Sequence, residues 1–193
     1  MKPYLLAAVV LATAVTTGTA SAVPRSEAML ANTCAGCHGT DGHSAGGNMP
    51  SLGGLSKRYL YKTMRDYRDD LRPSTIMGRI ARGYSDLELR AIASHFAAQS
   101  WQSRHDGTQP KLIKRGAELH QQLCASCHTD NGRTQSGETP RLAGQWFDYL
   151  QDQIGAMSAV HYRGSQPNRM LQRMSELSAA DGEALSHFYA SQR

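Results

Sequence analysis

The sequence predicts an all-α protein built from two tandem copies of one small domain. Three observations point there. The chain repeats itself at a nearly constant offset, its apolar residues recur at helical spacing behind capping residues, and no segment alternates apolar and polar residues as a half-buried strand would. The repeat is clearest from Cys34 to Leu60: Cys34, Pro50 and Tyr59 recur as Cys124, Pro140 and Tyr149, all 90 residues on. Further along the offset is 93, pairing Met77 with Met170 and Ser85 with Ser178, and then 92, pairing Ser94-His95-Phe96 with Ser186-His187-Phe188.

In chain order, residues 1–22 stand apart as a secretory signal peptide. Lys2 is their single charge, Leu5 to Val15 is apolar, and Ala20-Ser21-Ala22 is a small-residue site with cleavage after Ala22. The apolar run is about half the ~20 residues a membrane span needs. No later stretch is apolar enough to span, so the expected location is the periplasm. Residues 23–98 then form domain 1, 99–112 a linker, and 113–193 domain 2. Ser26 to Thr33 is a short helix, matched in the second copy by Ile113 to Leu123. Central helices run from Lys57 to Asp70 and from Gln145 to Met157. Ser85-Asp86-Leu87-Glu88 is a capping-box signal for a helix carrying Leu89, Ile92 and Phe96, and Ser178 opens its equivalent. The linker shows no sustained helical period and ends in breakers, Gly107 and Pro110. Trp101, Trp146 and Tyr84 suit a core or a contact surface equally.

The formal charge is +5, and +4 once Lys2 is removed. The basic residues are scattered and the chain carries an export signal, which argues against a nucleic-acid partner. The four cysteines are the whole complement, and they occur as Cys34-Ala-Gly-Cys37-His38 and Cys124-Ala-Ser-Cys127-His128. Cys-x-x-Cys-His is the attachment sequence of c-type haem. Two thiols on one helical turn reach the two vinyl groups of the porphyrin, and the histidine that follows is placed as an axial ligand. Zinc would need converging cysteine pairs, and a thioredoxin-like dithiol would need a βαβ context. The expected cofactors are two covalent haem c groups, one at the core of each domain. A buried macrocycle also supplies apolar volume to domains of about 80 residues, where a protein-only core is marginal.

Pro50 and Pro140 each follow the motif histidine by 12 residues, and their carbonyls are candidate acceptors for its other N–H. The sixth iron ligand is sought among Met49, Met64, Met77, His43 and His95 in domain 1, and Met157, Met170, Met174, His161 and His187 in domain 2. Met77 and Met170 both lie eight residues before the N-cap serine of the last helix. They are therefore assigned, with Met174 one turn from Met170 as the alternative. His95 and His187 sit inside the last helix, where a solvated side chain explains them. Iron held by His38 and Met77, and by His128 and Met170, is six-coordinate and suited to passing single electrons.

These residues carry a resemblance. The His–Met haem pattern is similar to class I cytochrome c, and the tandem copy resembles the soluble dihaem cytochromes of the c-four group. A narrower likeness, to the cytochrome subunits of flavocytochrome c sulfide dehydrogenases, rests on Cys34 to Thr40, Ser74 to Ser85, Leu142 to Trp146 and Phe188 to Gln192. Met157 to Asn168 departs from the pattern. What the narrower resemblance implies is a partner: a flavoprotein subunit that oxidises sulfide with FAD and a redox-active disulfide, then reduces two haems one electron at a time. A freely diffusing dihaem carrier serving a terminal oxidase or reductase is the alternative. A dihaem peroxidase would need a five-coordinate iron, and a sensor would need an output segment.

Overall fold

In a computed structural model, residues 25–104, 109–159, 162 and 164–193 are described, and every element among them is helical apart from one isolated bridge between Ser136 and Thr139. Residues 1–22, the predicted signal peptide, and His161 lie outside the described residues. Domain 1 contains α1 (Glu27–Asn32), α2 (Ala35–His38), α3 (Lys57–Arg68), α4 (Met77–Ala81) and α5 (Asp86–Ala97). Domain 2 contains α6 (Pro110–Leu119), the turn α7 (Thr129–Gly132), α8 (Phe147–Ser158), α9 (Asn168–Ser175) and α10 (Ala179–Ser191). No helix among the described residues is long and apolar enough to cross a membrane.

Capping chemistry sets most of the boundaries. Ser26, Ser56, Ser85 and Ser178 each accept a hydrogen bond from a first-turn backbone N–H of the helix they open. Ser85 with Glu88, and Ser178 with Asp181, close full capping boxes. Pro110 is the first residue of α6, where a missing N–H costs nothing. In the sequence Pro110 reads as a breaker ending the linker; the same lack of an N–H that breaks a helix interior suits a helix start.

Each domain has its own core. Leu30, Leu55, Leu60, Ile92 and Phe96 cluster in the first; Leu119, Leu150, Ile154, Leu185 and Phe188 in the second. In domain 2, α6 crosses α10 at Gly116, where an added methyl would collide with the Ala184 carbonyl and the Phe188 side chain. After each Cys motif the backbone makes the same left-handed turn. Asp41 and Gly42 have φ of 57° and 76°, and Asn131 and Gly132 have 53° and 81°. Gly42 accepts at its carbonyl from the amides of Leu52 and Gly53, and Gly132 accepts from Leu142 and Ala143. Those bonds fold the proline-bearing segment back over the motif histidine.

The linker is packed rather than loose where it is described. Trp101 lies against Gly54, Ser103 against Gly144, and the Ser100 carbonyl accepts from His43 Nε2 at 2.8 Å. Trp101 and Tyr84, both partly buried, pack against the domain 1 core.

Candidate haem sites

Both Cys motifs form a single turn that presents its three side chains to one cavity. In each, the histidine amide bonds the first cysteine's carbonyl at 2.9 Å. None of the four cysteines is paired in a disulfide; Cys34 and Cys124 are half-buried and Cys37 and Cys127 exposed. Burial raises the Cys34 and Cys124 thiols, the reverse of what an activated thiolate needs. Among the described residues no cluster of His, Cys, Asp or Glu could hold a metal ion alone. The paired thiols and the histidine of each motif thus share the wall of one large cavity.

The cavity beside Cys34, Cys37 and His38 has a volume of about 700 Å³ and is lined mainly by apolar side chains, including Leu55, Leu60, Ile92 and Phe96. Met77 lines it from the first turn of α4, as do Met49 and Met64. The second cavity, of about 280 Å³, is bordered by Cys124, Cys127 and His128 and by Met157, Met170 and Met174. Thus every methionine candidate borders the predicted cavity. Register picks Met77 and Met170, but the cavity walls alone do not separate them from the other thioethers.

The histidine candidates fare differently. His43 is spent on the Ser100 carbonyl. Neither His95 nor His187 borders either of these two cavities. His187 is not solvated as its sequence suggested. It is 2 % exposed and stacks on Phe147 with ring centroids 4.3 Å apart, because α10 is buried on nearly every side.

His38 Nδ1 bonds the Pro50 carbonyl at 2.9 Å, leaving Nε2 as the nitrogen for a ligand. Burial pushes the His38 pKa down, with the Pro50 bond opposing it. In domain 2 the match is incomplete. The Pro140 carbonyl is near enough to favour the charged ring, yet His128 Nδ1 makes no hydrogen bond of normal geometry. Burial, reinforced by His120, takes His128 down to about 4. Both rings are therefore neutral at pH 7, the form that ligates iron.

These features are what haem c requires: an apolar slot, paired thiols and an imidazole on its wall, and methionine thioethers among its lining. A family model for cytochrome c matches residues 25–96 and 113–192, one copy on each domain. The chain belongs to the cytochrome c family. Its cofactors are two covalent haem c groups. The cytochrome c4 of Azotobacter vinelandii is 30 % identical over 139 residues, covering 63 % of this chain and 65 % of that protein. The cytochrome subunit of sulfide dehydrogenase from Chlorobaculum tepidum is 44 % identical over 68 residues, covering 35 % of this chain and 61 % of that one. The chain thus spans just under two thirds of both relatives. The crystal structure of reduced recombinant cytochrome c4 from Pseudomonas stutzeri superposes with a TM-score of 0.74 at 27 % identity, covering 83 % of this chain and 94 % of the other.

Several residues near the cavities escaped sequence reasoning. Tyr59 and Tyr149, equivalent in the repeat, meet between the domains, and both line both cavities. Gln145 reaches across the interface to Ser51, accepting from its amide at 3.0 Å and donating to its carbonyl at 2.9 Å. His120 lies in a π-helical turn, His120–Cys124, and is fully buried with its Nδ1 2.9 Å from the Tyr189 hydroxyl. The first domain has Leu30 at the matching position, so the repeat itself could have flagged His120.

Proposed function

We propose that this cytochrome c carries electrons singly between a sulfide-oxidising FAD flavoprotein subunit and a downstream acceptor in the periplasm. Each haem is tethered by Cys34 and Cys37, or by Cys124 and Cys127. Its iron is held by His38 and Met77, or by His128 and Met170. The haems supply reversible one-electron chemistry at iron. The chain supplies the rest: thioether attachment, an imidazole in each domain with that of His38 aimed through Pro50, apolar walls that exclude water, and a second ligand that closes the iron to peroxide and oxygen.

The observation that carries this reading is the duplicated site, in which a Cys-x-x-Cys-His turn and several methionines border one largely apolar cavity in each domain. Two one-electron sites in one chain suit a flavin donor, whose reduced form releases two electrons. Similarity to a sulfide dehydrogenase cytochrome subunit supports that donor, and residues 1–22 support export. The test is isolation of the native protein followed by addition of sulfide. A bound flavin-containing chain and reduced haem bands are expected. Haem that stays oxidised, with no flavin recovered, would reject the donor. The longer, two-domain match to cytochrome c4 favours the second reading, a freely diffusing carrier, which would exchange electrons rapidly with an oxidase and bind no flavoprotein.

A further inference from the structure

The repeat places a buried cation between the cavities on one side only. Arg72, just beyond α3, is 4 % exposed. Its guanidinium donates to the Tyr149 hydroxyl at 3.2 Å, to Thr63 Oγ1 at 3.3 Å and to Gln153 Oε1, and lies 5.1 Å from the Tyr67 ring centre. All of these partners are neutral, and among the described residues Arg72 makes no salt bridge. The nearby acid, Asp66, is engaged by Lys62 at 2.9 Å and by Ser165 at 2.8 Å. A buried guanidinium with only neutral partners is costly unless an anion completes the site. Haem c carries two carboxylates, on the edge of the macrocycle away from its thioether bonds.

In the register that pairs Met77 with Met170, the counterpart of Arg72 is Ser165. Domain 2 therefore returns no matching cation to the shared wall. Arg72 borders the second cavity and not the first. The remaining charges lean the same way. The first cavity is bordered by Arg141 and Asp152, which cancel; the second by Lys62, Arg72, Arg169 and Arg173 against Glu138 alone, a net of +3. Lys62 is neutralised by Asp66 and Arg173 by Glu176, and solvent screens the latter pair. Arg72 is the cation that is both buried and uncompensated. The imidazoles add a second, independent difference. The 2.9 Å bond from His38 to Pro50 makes that ring the stronger donor, which favours oxidised iron, whereas the Pro140 carbonyl lies near His128 Nδ1 but outside normal hydrogen-bond geometry.

We propose that Arg72 is the positioning residue that makes the two haem sites unequal, holding the acidic edge of the second haem and raising its reduction potential above the first. A fixed positive charge in a buried site stabilises the iron that has gained an electron. Electrons entering at domain 1 then run downhill to domain 2. This rests on the presence of two haems, and the test separates the two claims.

The full exported chain, with Arg72→Gln and Arg72→Lys beside it, is first counted for covalent haem and then titrated by optical spectroelectrochemistry. Two one-electron waves are expected from the native chain. In Arg72→Gln with both haems retained, the upper wave falls and the lower moves less, so the gap narrows; Arg72→Lys restores most of it. An unchanged gap, or equal displacement of both waves, overturns the role of Arg72. If Arg72→Gln loses a haem, Arg72→Lys decides alone. It keeps the charge without the planar fork, and an upper wave that drops to meet the lower would overturn the proposal. Fewer than two haems in the native chain would instead remove the reading beneath it.

Discussion

At the residue scale, the motif cysteines and histidines act through local geometry that any helical turn provides, which is why they were legible from the sequence. The choice of Met77 and Met170 as their partners rests on the repeat alone. Three thioethers border each cavity, and nothing in a single domain's sequence separates ligand from packing. Replacing Met77 or Met170 with Ala should abolish the sulfur-to-iron absorption of the haem concerned and lower its potential. Met174→Ala should leave that absorption in place, and optical spectra of the oxidised variants check all three. Retention of the band in Met170→Ala with its loss in Met174→Ala would exchange the assignment. Arg72 and His120 were missed for a different reason: each owes its burial to chain far away in sequence, around Tyr149 and Gln153 for one and Tyr189 for the other, and only the mismatch of His120 with Leu30 in the repeat marks either of them.

At the element scale, the last helix of each domain is fixed by its first turn. Ser85→Ala or Ser178→Ala removes a cap and should cost about 1 kcal/mol in chemical denaturation. The acidic halves of these boxes give the pH dependence its sign. Backbone and hydroxyl bonds from Ser85 hold Glu88 below its ordinary value of 4.5, and bonds from Ser178 and Arg115 hold Asp181 below 3.8. A depressed carboxylate contributes stability that is fully present above its unfolded pKa and lost as pH falls through the folded one. The thermal midpoint should therefore be insensitive to these groups at neutral pH and decline below about pH 4, less so in a Glu88→Gln, Asp181→Asn double variant. At the crossing of α6 and α10, Gly116→Ala inserts a methyl where the Ala184 carbonyl already lies. Overpacking of that kind should cost about 1–3 kcal/mol, read as a lower denaturation midpoint. The helix itself was predictable from its apolar spacing, but the need for glycine was not. It arises from the approach of two helices some seventy residues apart.

At the scale of the whole molecule, the two domains meet through a polar wall. Gln145 satisfies both backbone groups of Ser51 in a buried setting, and Asn48 donates to Asp152 at 2.9 Å nearby. Gln145→Ala leaves a buried amide and carbonyl without partners, a loss of about 1–3 kcal/mol. Denaturation monitored separately at the two haem environments should then show transitions that part company, where the native chain gives one. The duplication predicted two similar domains, and the backbone turns at Gly42 and Gly132 bear that out in detail. It did not predict how the copies face each other, since pairs such as Ser51 with Gln145 or Arg72 with Gln153 follow no local period.

Intact mass of the purified, exported protein under denaturing conditions is the most direct measurement of the central claim. The expected value is that of residues 23–193 plus two haems that survive unfolding. The bare polypeptide mass, or a single added haem, would contradict it.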